Sequence, residues 1–196
     1  VERLIADARE RGNTARGAAV FASAKFACMS CHKVGEEGGT VGPELSTVGV
    51  CLKPEEIAES LLWPQRQIKD GYRATAIVTA DGIVHQGYVT SESDENVDLR
   101  VAPSQEIVTI AKNEIDERQE VGSLMPAGLA EAMTPQQRVD LVRFLLELKR
   151  GDQATTAEML RHAHAPATFA YDFAPLGPAA WPQRTRGDHH GVVVRG

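Results

Sequence analysis

The hydrophobic period of this chain changes twice, and that change limits the folds open to it. Val1–Gly12 reads as a short amphipathic helix with Val1, Leu4, Ile5 and Ala8 on one face, stopped by Gly12. Asn13 is a suitable N-cap for a second helix running through Ala15–Lys25. Phe26–Thr47 is Gly-rich and irregular. Pro54, followed by Glu55 and Glu56, opens a helix whose Ile57, Ala58, Leu61 and Leu62 share a face, and Trp63-Pro64 ends it. The spacing then becomes two. Arg73–Ala80 and Ile83–Thr90 flank the hairpin dipeptide Asp81-Gly82, Val97–Val101 alternates beyond a polar turn at 91–96, and Ile107–Ala111 adds a short strand. Helical spacing returns at Thr134-Pro135-Gln136-Gln137, an N-cap with Pro at the first position and Gln at the third, and carries Val139, Val142, Phe144, Leu145 and Leu148 toward Gly151. The expected architecture is mostly α with a small antiparallel sheet or barrel inserted. Beyond Asp152 four prolines interrupt an extended tail in which only Thr155–His164 looks helical. That tail is expected to pack on the body or await a partner, much of it without fixed structure.

Composition removes several function classes. At 196 residues the chain holds one large domain or two small ones, and its net charge of −6 lacks the basic stripe of a nucleic-acid binder. No run of 18 apolar residues suggests a transmembrane helix. Three cysteines are too few for a disulfide framework. Val1 is not followed by a signal-peptide pattern, so the sequence reads as a mature chain or a piece of something larger.

Cys28-Met29-Ser30-Cys31-His32 is the stretch that carries chemistry. CxxCH is the attachment signature of c-type haem. Cysteines three apart lie on one helical turn and reach both vinyl groups of a single porphyrin, and the next residue, His32, then serves as proximal iron ligand. With this composition the pattern arises by chance in roughly one such chain in a thousand. Two other chemistries compete. A redox CxxC belongs after a strand in a βαβ unit, whereas here a helix precedes the motif. A Cys3His zinc site would recruit Cys51 but lacks a second paired element.

The sixth ligand separates an electron carrier from a sensor, since a Met/His pair raises the potential. Met29 lies inside the attachment loop and cannot reach the opposite haem face. Met125, in the irregular loop GlySerLeuMetProAla nine residues before Thr134, is the expected distal ligand; Met133, next to the cap, reads as a core residue.

These residues resemble a class I c-type cytochrome. Gly17 and Phe21 precede CxxCH, Gly42-Pro43-Glu44-Leu45 follows it, Met125-Pro126 comes late, and the last strong helix carries Phe144. The resemblance implies crossed helices packed through Gly17, Phe21 and Phe144, and a Pro43 carbonyl that accepts a hydrogen bond from His32. Leu52-Lys53-Pro54-Glu55-Glu56, the Trp63-Pro64 break, the inserted strands and Ser123-Leu124-Met125-Pro126 are more closely similar to the planctomycete-type haem-binding domain, over about residues 10–150. Cys51 departs from that pattern, where a polar residue is expected; a buried thiol is the simplest reading of it. The domain is then 13–150, interrupted by the β insertion at 65–120, with a leading helix at 1–12 and a tail at 151–196.

The resemblance implies one covalently attached haem c, single-electron transfer without enzymatic turnover by this chain, and a periplasmic or secreted location. The partner is a redox protein or an upstream dehydrogenase domain. A haem sensor with a labile sixth ligand and an assembly module of a larger secreted protein are the other readings. Trp63, Arg66, Tyr72 and Arg73 are candidates for propionate contacts. The insertion resembles SH3- or Sm-like barrels in strand rhythm. Residues 65–118 carry six Lys/Arg against ten Asp/Glu, so the insertion is either a rigid spacer or an acidic docking surface, including for a homodimer. His162, His164, His189 and His190 read as surface histidines rather than metal ligands.

Overall fold

The structure, a computed structural model, describes residues 1–102, 104–149 and 153–164. Helix α1 (Glu2–Arg11) has Glu2 in its first turn and Arg9 and Arg11 in its last, charges that complement the helix dipole, and buries Ile5 and Ala8. Helix α2 (Thr14–Ala22) is capped by the Asn13 side chain, which accepts the Arg16 N–H at 2.8 Å. It ends three residues before Lys25. The N–H groups of Phe26 and Ala27 fold back onto the Ser23 carbonyl, a turn that buries Phe26 in the core. Helix α3 (Cys28–Cys31) is a single turn. Strands β1 (Lys33–Val34) and β2 (Glu37–Gly38) form a small hairpin, and α4 (Val48–Cys51) and α5 (Pro54–Leu62) complete the first half.

Helix α6 (Pro135–Glu147) begins with the expected capping box, Thr134 accepting from the Gln137 N–H while the Gln137 side chain accepts from the Thr134 N–H. It crosses α2 at Gly17, where a Cβ would fall on the Asp140 carbonyl oxygen and lie 2.6 Å from Phe144 Cβ. Phe21 and Phe144 meet just beyond, ring centroids 5.6 Å apart. The crossing is locked by Asp140, 2% exposed, whose carboxylate accepts from Arg16 Nε at 2.7 Å and Nη2 at 2.9 Å, from the Asn13 N–H, and from Gln136. Helix α7 (Gln153–His164) adds Leu160 to the same helical core, with Met159 and Ala163 at its edge. The rest of the tail, His189 and His190 included, lies outside the described residues, as do the side chains of His162 and His164.

Strands β3 (Ala74–Thr79), β4 (Val84–Glu92), β5 (Asn96–Val101), β6 (Ile107–Ala111) and β7 (Ile115–Gly122) form one antiparallel sheet in the order β6-β5-β4-β3-β7. Four strands meander; a 3-10 turn at Lys112–Glu114 then sends β7 back beside β3. Glu92 on β4 holds this return in place, accepting from both terminal nitrogens of Arg118 at 3.0 Å and from Lys112 at 2.8 Å. The sheet has a core of its own in Ile77, Val97, Leu99 and Ile110.

A mostly α, class I cytochrome c fold is therefore not what the chain adopts. With 38% helix against 25% strand, it is a mixed α and β protein whose five-stranded sheet has its own core. β7 accounts for part of the difference. Its sequence, IleAspGluArgGlnGluValGly, is an edge strand exposed along most of its length, so it carries no alternating apolar signal. Among the described residues no helix is long and apolar enough to cross a membrane.

A third small cluster joins the two parts. Val41, Ala74 and Tyr88 are buried together, with Cys31, Tyr72, Ala102, Val121 and Leu124 packed against them, whereas Cys28 and Met125 pack on the helical core.

Candidate functional site

Between the helices and the sheet lies an open cleft with a volume of about 80 Å³. Its floor is the CxxCH turn. Ala27 enters that turn at φ 53°, a left-handed conformation that costs a non-glycine residue about 1 kcal/mol. Cys28 and Cys31 follow on one turn, and His32, in extended conformation at φ −110°, ends it with its N–H on the Cys28 carbonyl at 2.9 Å. All three line the cleft.

His32 is held from one side. Its Nδ1 lies 2.8 Å from the Pro43 carbonyl oxygen. A carbonyl can only accept, so Nδ1 carries the proton and Nε2 keeps its lone pair, the tautomer suited to binding a metal. Gly42 makes room for this arrangement: a Cβ there would stand 2.6 Å from the imidazole Cε1 and 2.8 Å from Nδ1. Burial pushes the His32 pKa down, opposed in part by the Pro43 bond, so the ring is neutral at pH 7. Burial also pushes the Cys28 thiol up to about 11, and raises Cys31. Both sulfurs are thus protonated at neutral pH, the opposite of the thiolate a redox CxxC requires.

The loop after β7 supplies a further part of the lining, through Ser123, Leu124, Met125, Pro126 and Leu129. Gln65 clasps the start of this loop both ways, donating to the Ser123 carbonyl at 2.9 Å and accepting its N–H at 2.8 Å. Met125 therefore lines the same cleft as His32, whereas Met133 is buried in the helical core and Met29 packs beside it.

The expected propionate contacts divide. Tyr72 lines the cleft. Arg73 does not; it points outward to Glu120 at 3.1 Å, because alternation at the entry to β3 turns Tyr72 and Ala74 toward the cleft side and Arg73 away. Trp63 is 44% exposed at the end of α5, its ring under the Arg66 guanidinium at 5.2 Å, and neither lines the cleft. Cys51 corrects a further expectation: it is exposed, its thiol donating to Thr47 Oγ1 at 3.4 Å. Among the described residues no set of three or more His, Cys, Asp or Glu is gathered to hold a metal ion, so a Cys3His zinc centre is not assembled.

Tyr88 is the wall residue that sequence reasoning missed. It is 3% exposed, meets Tyr72 edge-on with centroids 5.5 Å apart, and lines the cleft from β4. The only signal was one aromatic in a strand of a chain that is 5% aromatic, and period two does not say which face turns inward. No protein family matches the sequence, and no curated protein matches it either.

Proposed function

We propose that this chain is a monohaem c-type cytochrome that passes single electrons, with Cys28 and Cys31 as covalent anchors and His32 and Met125 as axial ligands. The observation that carries the reading is that these four side chains line one cleft while Pro43 fixes the His32 tautomer. The CxxCH spacing and the resemblance to the planctomycete-type domain point the same way. No particular fold is required, because the activity belongs to the site. Bound haem supplies the reversible one-electron iron couple.

The chain's own residues do the rest. Cys28 and Cys31 would hold the haem, each thiol adding its sulfur and its proton across a vinyl double bond to leave a thioether. His32 offers Nε2 from a ring that Pro43 and Gly42 keep from turning. Met125 offers a soft thioether from a loop braced by Gln65, and the apolar wall of Val41, Leu124 and Leu129 excludes water and so raises the cost of charge at the iron. The expected donor or acceptor is a redox protein or a dehydrogenase domain of a larger chain, on the outer side of a bacterial membrane.

Expression with a c-type haem maturation system tests this. Haem that stays with the polypeptide through acid–acetone extraction, and is lost when Cys28 and Cys31 are both changed to Ala, is the expected result. Extraction of all the haem from the unaltered chain would falsify covalent attachment. Rapid carbon monoxide binding by the reduced protein would replace electron carriage with ligand sensing.

A further inference from the structure

The chain passes from the sheet into the Met125 loop through a tightly built turn. Gly122, the last residue of β7, pairs with Ala74 of β3 and takes φ 82°, a left-handed conformation that glycine adopts without strain. The Gln65 side chain lies against it, so that a Cβ on Gly122 would stand 2.5 Å from Gln65 Oε1. That closeness lets one amide group reach both polar groups of the next residue. Gln65 Nε2 donates to the Ser123 carbonyl at 2.9 Å, and Oε1 accepts the Ser123 N–H at 2.8 Å. A side-chain amide carries a donor and an acceptor on one planar end, the complement of a backbone N–H and C=O. Ser123 passes the constraint on, its Oγ accepting the Met125 N–H at 3.1 Å. Leu124, between them, packs against the cluster of Val41, Ala74 and Tyr88, and Met125 lines the cleft with His32.

Gln65 and Ser123 are 58 residues apart and stand at the two ends of the inserted sheet. Gln65 follows the turn that ends α5, so one side chain ties the helical part, the far end of the insertion and the methionine loop together. Both bonds are open to water, and a net hydrogen bond of this kind shifts an equilibrium roughly fivefold, two of them roughly thirtyfold. A tie of that size holds a loop in place and is readily undone. We propose that the Gln65–Ser123 clasp is a latch on the sixth iron position: closed, it presents Met125 to the haem, and opened, it lets the loop carry Met125 away and admits an external ligand. The inference rests on the haem reading and deepens it, making the fixed ligand of a carrier and the labile ligand of a sensor two states of one loop. Gln65 acts through Met125 and is a positioning residue.

The test uses the haem-loaded full chain, reduced, with carbon monoxide as the probe. Gln65→Leu removes both bonds and should bind carbon monoxide roughly thirtyfold more tightly than the unaltered chain, because apparent affinity follows the fraction of molecules with an open site. The same variant should have a lower reduction potential and faster hydrogen exchange at the Ser123 and Met125 amides, with its haem still covalently attached. Gln65→Glu keeps the shape and the acceptor but has no donor for the Ser123 carbonyl at pH 7. It should fall between the two, near fivefold, and it carries the test if Gln65→Leu does not fold. Faster amide exchange in the variants with unchanged carbon monoxide affinity and potential would reduce the clasp to a structural tie, overturning the latch and leaving the haem reading standing. A Gln65→Glu chain indistinguishable from the unaltered one would overturn the two-way clasp. Carbon monoxide binding by the unaltered chain as tight as by Met125→Ala would overturn both the latch and Met125 ligation.

Discussion

Replacing Gly42 by Ala probes the site at its tightest point. The new methyl would stand 2.6 Å from His32 Cε1, and ordinary contact begins near 3.4 Å, so the ring must yield by about 0.8 Å. A ring displaced that far from Pro43 stretches the 2.8 Å Nδ1–carbonyl bond to about 3.6 Å, beyond hydrogen-bonding range. Losing one bond of this kind costs about 0.5–1.5 kcal/mol, and forcing a methyl into a packed site a further 1–3 kcal/mol. Gly42→Ala should thus lose about 2–4 kcal/mol in urea unfolding. Once Nδ1 is released the proton is free to move to Nε2, and second-layer losses of this kind weaken metal binding about 10–100-fold. The control is Gly35→Ala, at φ 62° with nothing within 4 Å of its Cβ, which should show only the backbone cost of about 1 kcal/mol and no change at the iron. If Gly42→Ala unfolds at the unaltered midpoint and binds haem with the same spectrum, the claim that Gly42 and Pro43 set His32 is refuted.

Met125→Ala should lower the reduction potential and open the iron to carbon monoxide, whereas Met133→Ala should cost about 2–5 kcal/mol of stability and leave the spectrum alone; the reverse pattern would reassign the ligand. Asp140→Asn should cost about 1–3 kcal/mol, toward the lower end because Arg16 is half-exposed to water. Burial works to raise the Asp140 pKa, but Arg16, the Asn13 N–H and Gln136 together hold it below 3.8, its value in the unfolded chain. A depressed folded pKa means its contribution is complete above pH 3.8 and disappears as the pH falls further, so thermal midpoints recorded from pH 5 downward should drop more for the unaltered chain than for Asp140→Asn.

What was legible in the sequence was whatever chain spacing alone determines. The CxxCH turn, the Thr134–Gln137 capping box and the Asn13 cap are local, and each stands as read. The close approach of Gly17 to Asp140 and Phe144 and the Pro43 bond to His32 are also present, but spacing does not determine them; they are what the cytochrome resemblance implies. What failed depended on the third dimension. Arg73 and Tyr72 are neighbours in sequence, yet strand alternation sends them to opposite sides. Cys51 looked like a small buried hydrophobe because the type often is one, but it ends a four-residue helix whose inward residue is Val48. Strand β7 was hidden because it is held by backbone pairing to β3 and by Glu92, neither of which leaves an apolar period. The mostly α expectation fell with it.

One consequence of the clustering concerns folding cooperativity. Cys28 and Cys31 are a single helical turn apart, yet the first packs with the helices and the second with the sheet, and Met125 and Leu124 divide in the same way. The cleft is thus the seam between two separately cored regions, and whatever fills it is gripped from both. An occupant bonded to both sulfurs would act as a rivet across the seam, adding its binding free energy to the contacts that hold the two cores together. Order in the sheet would then report on occupancy of a site to which it supplies only a wall.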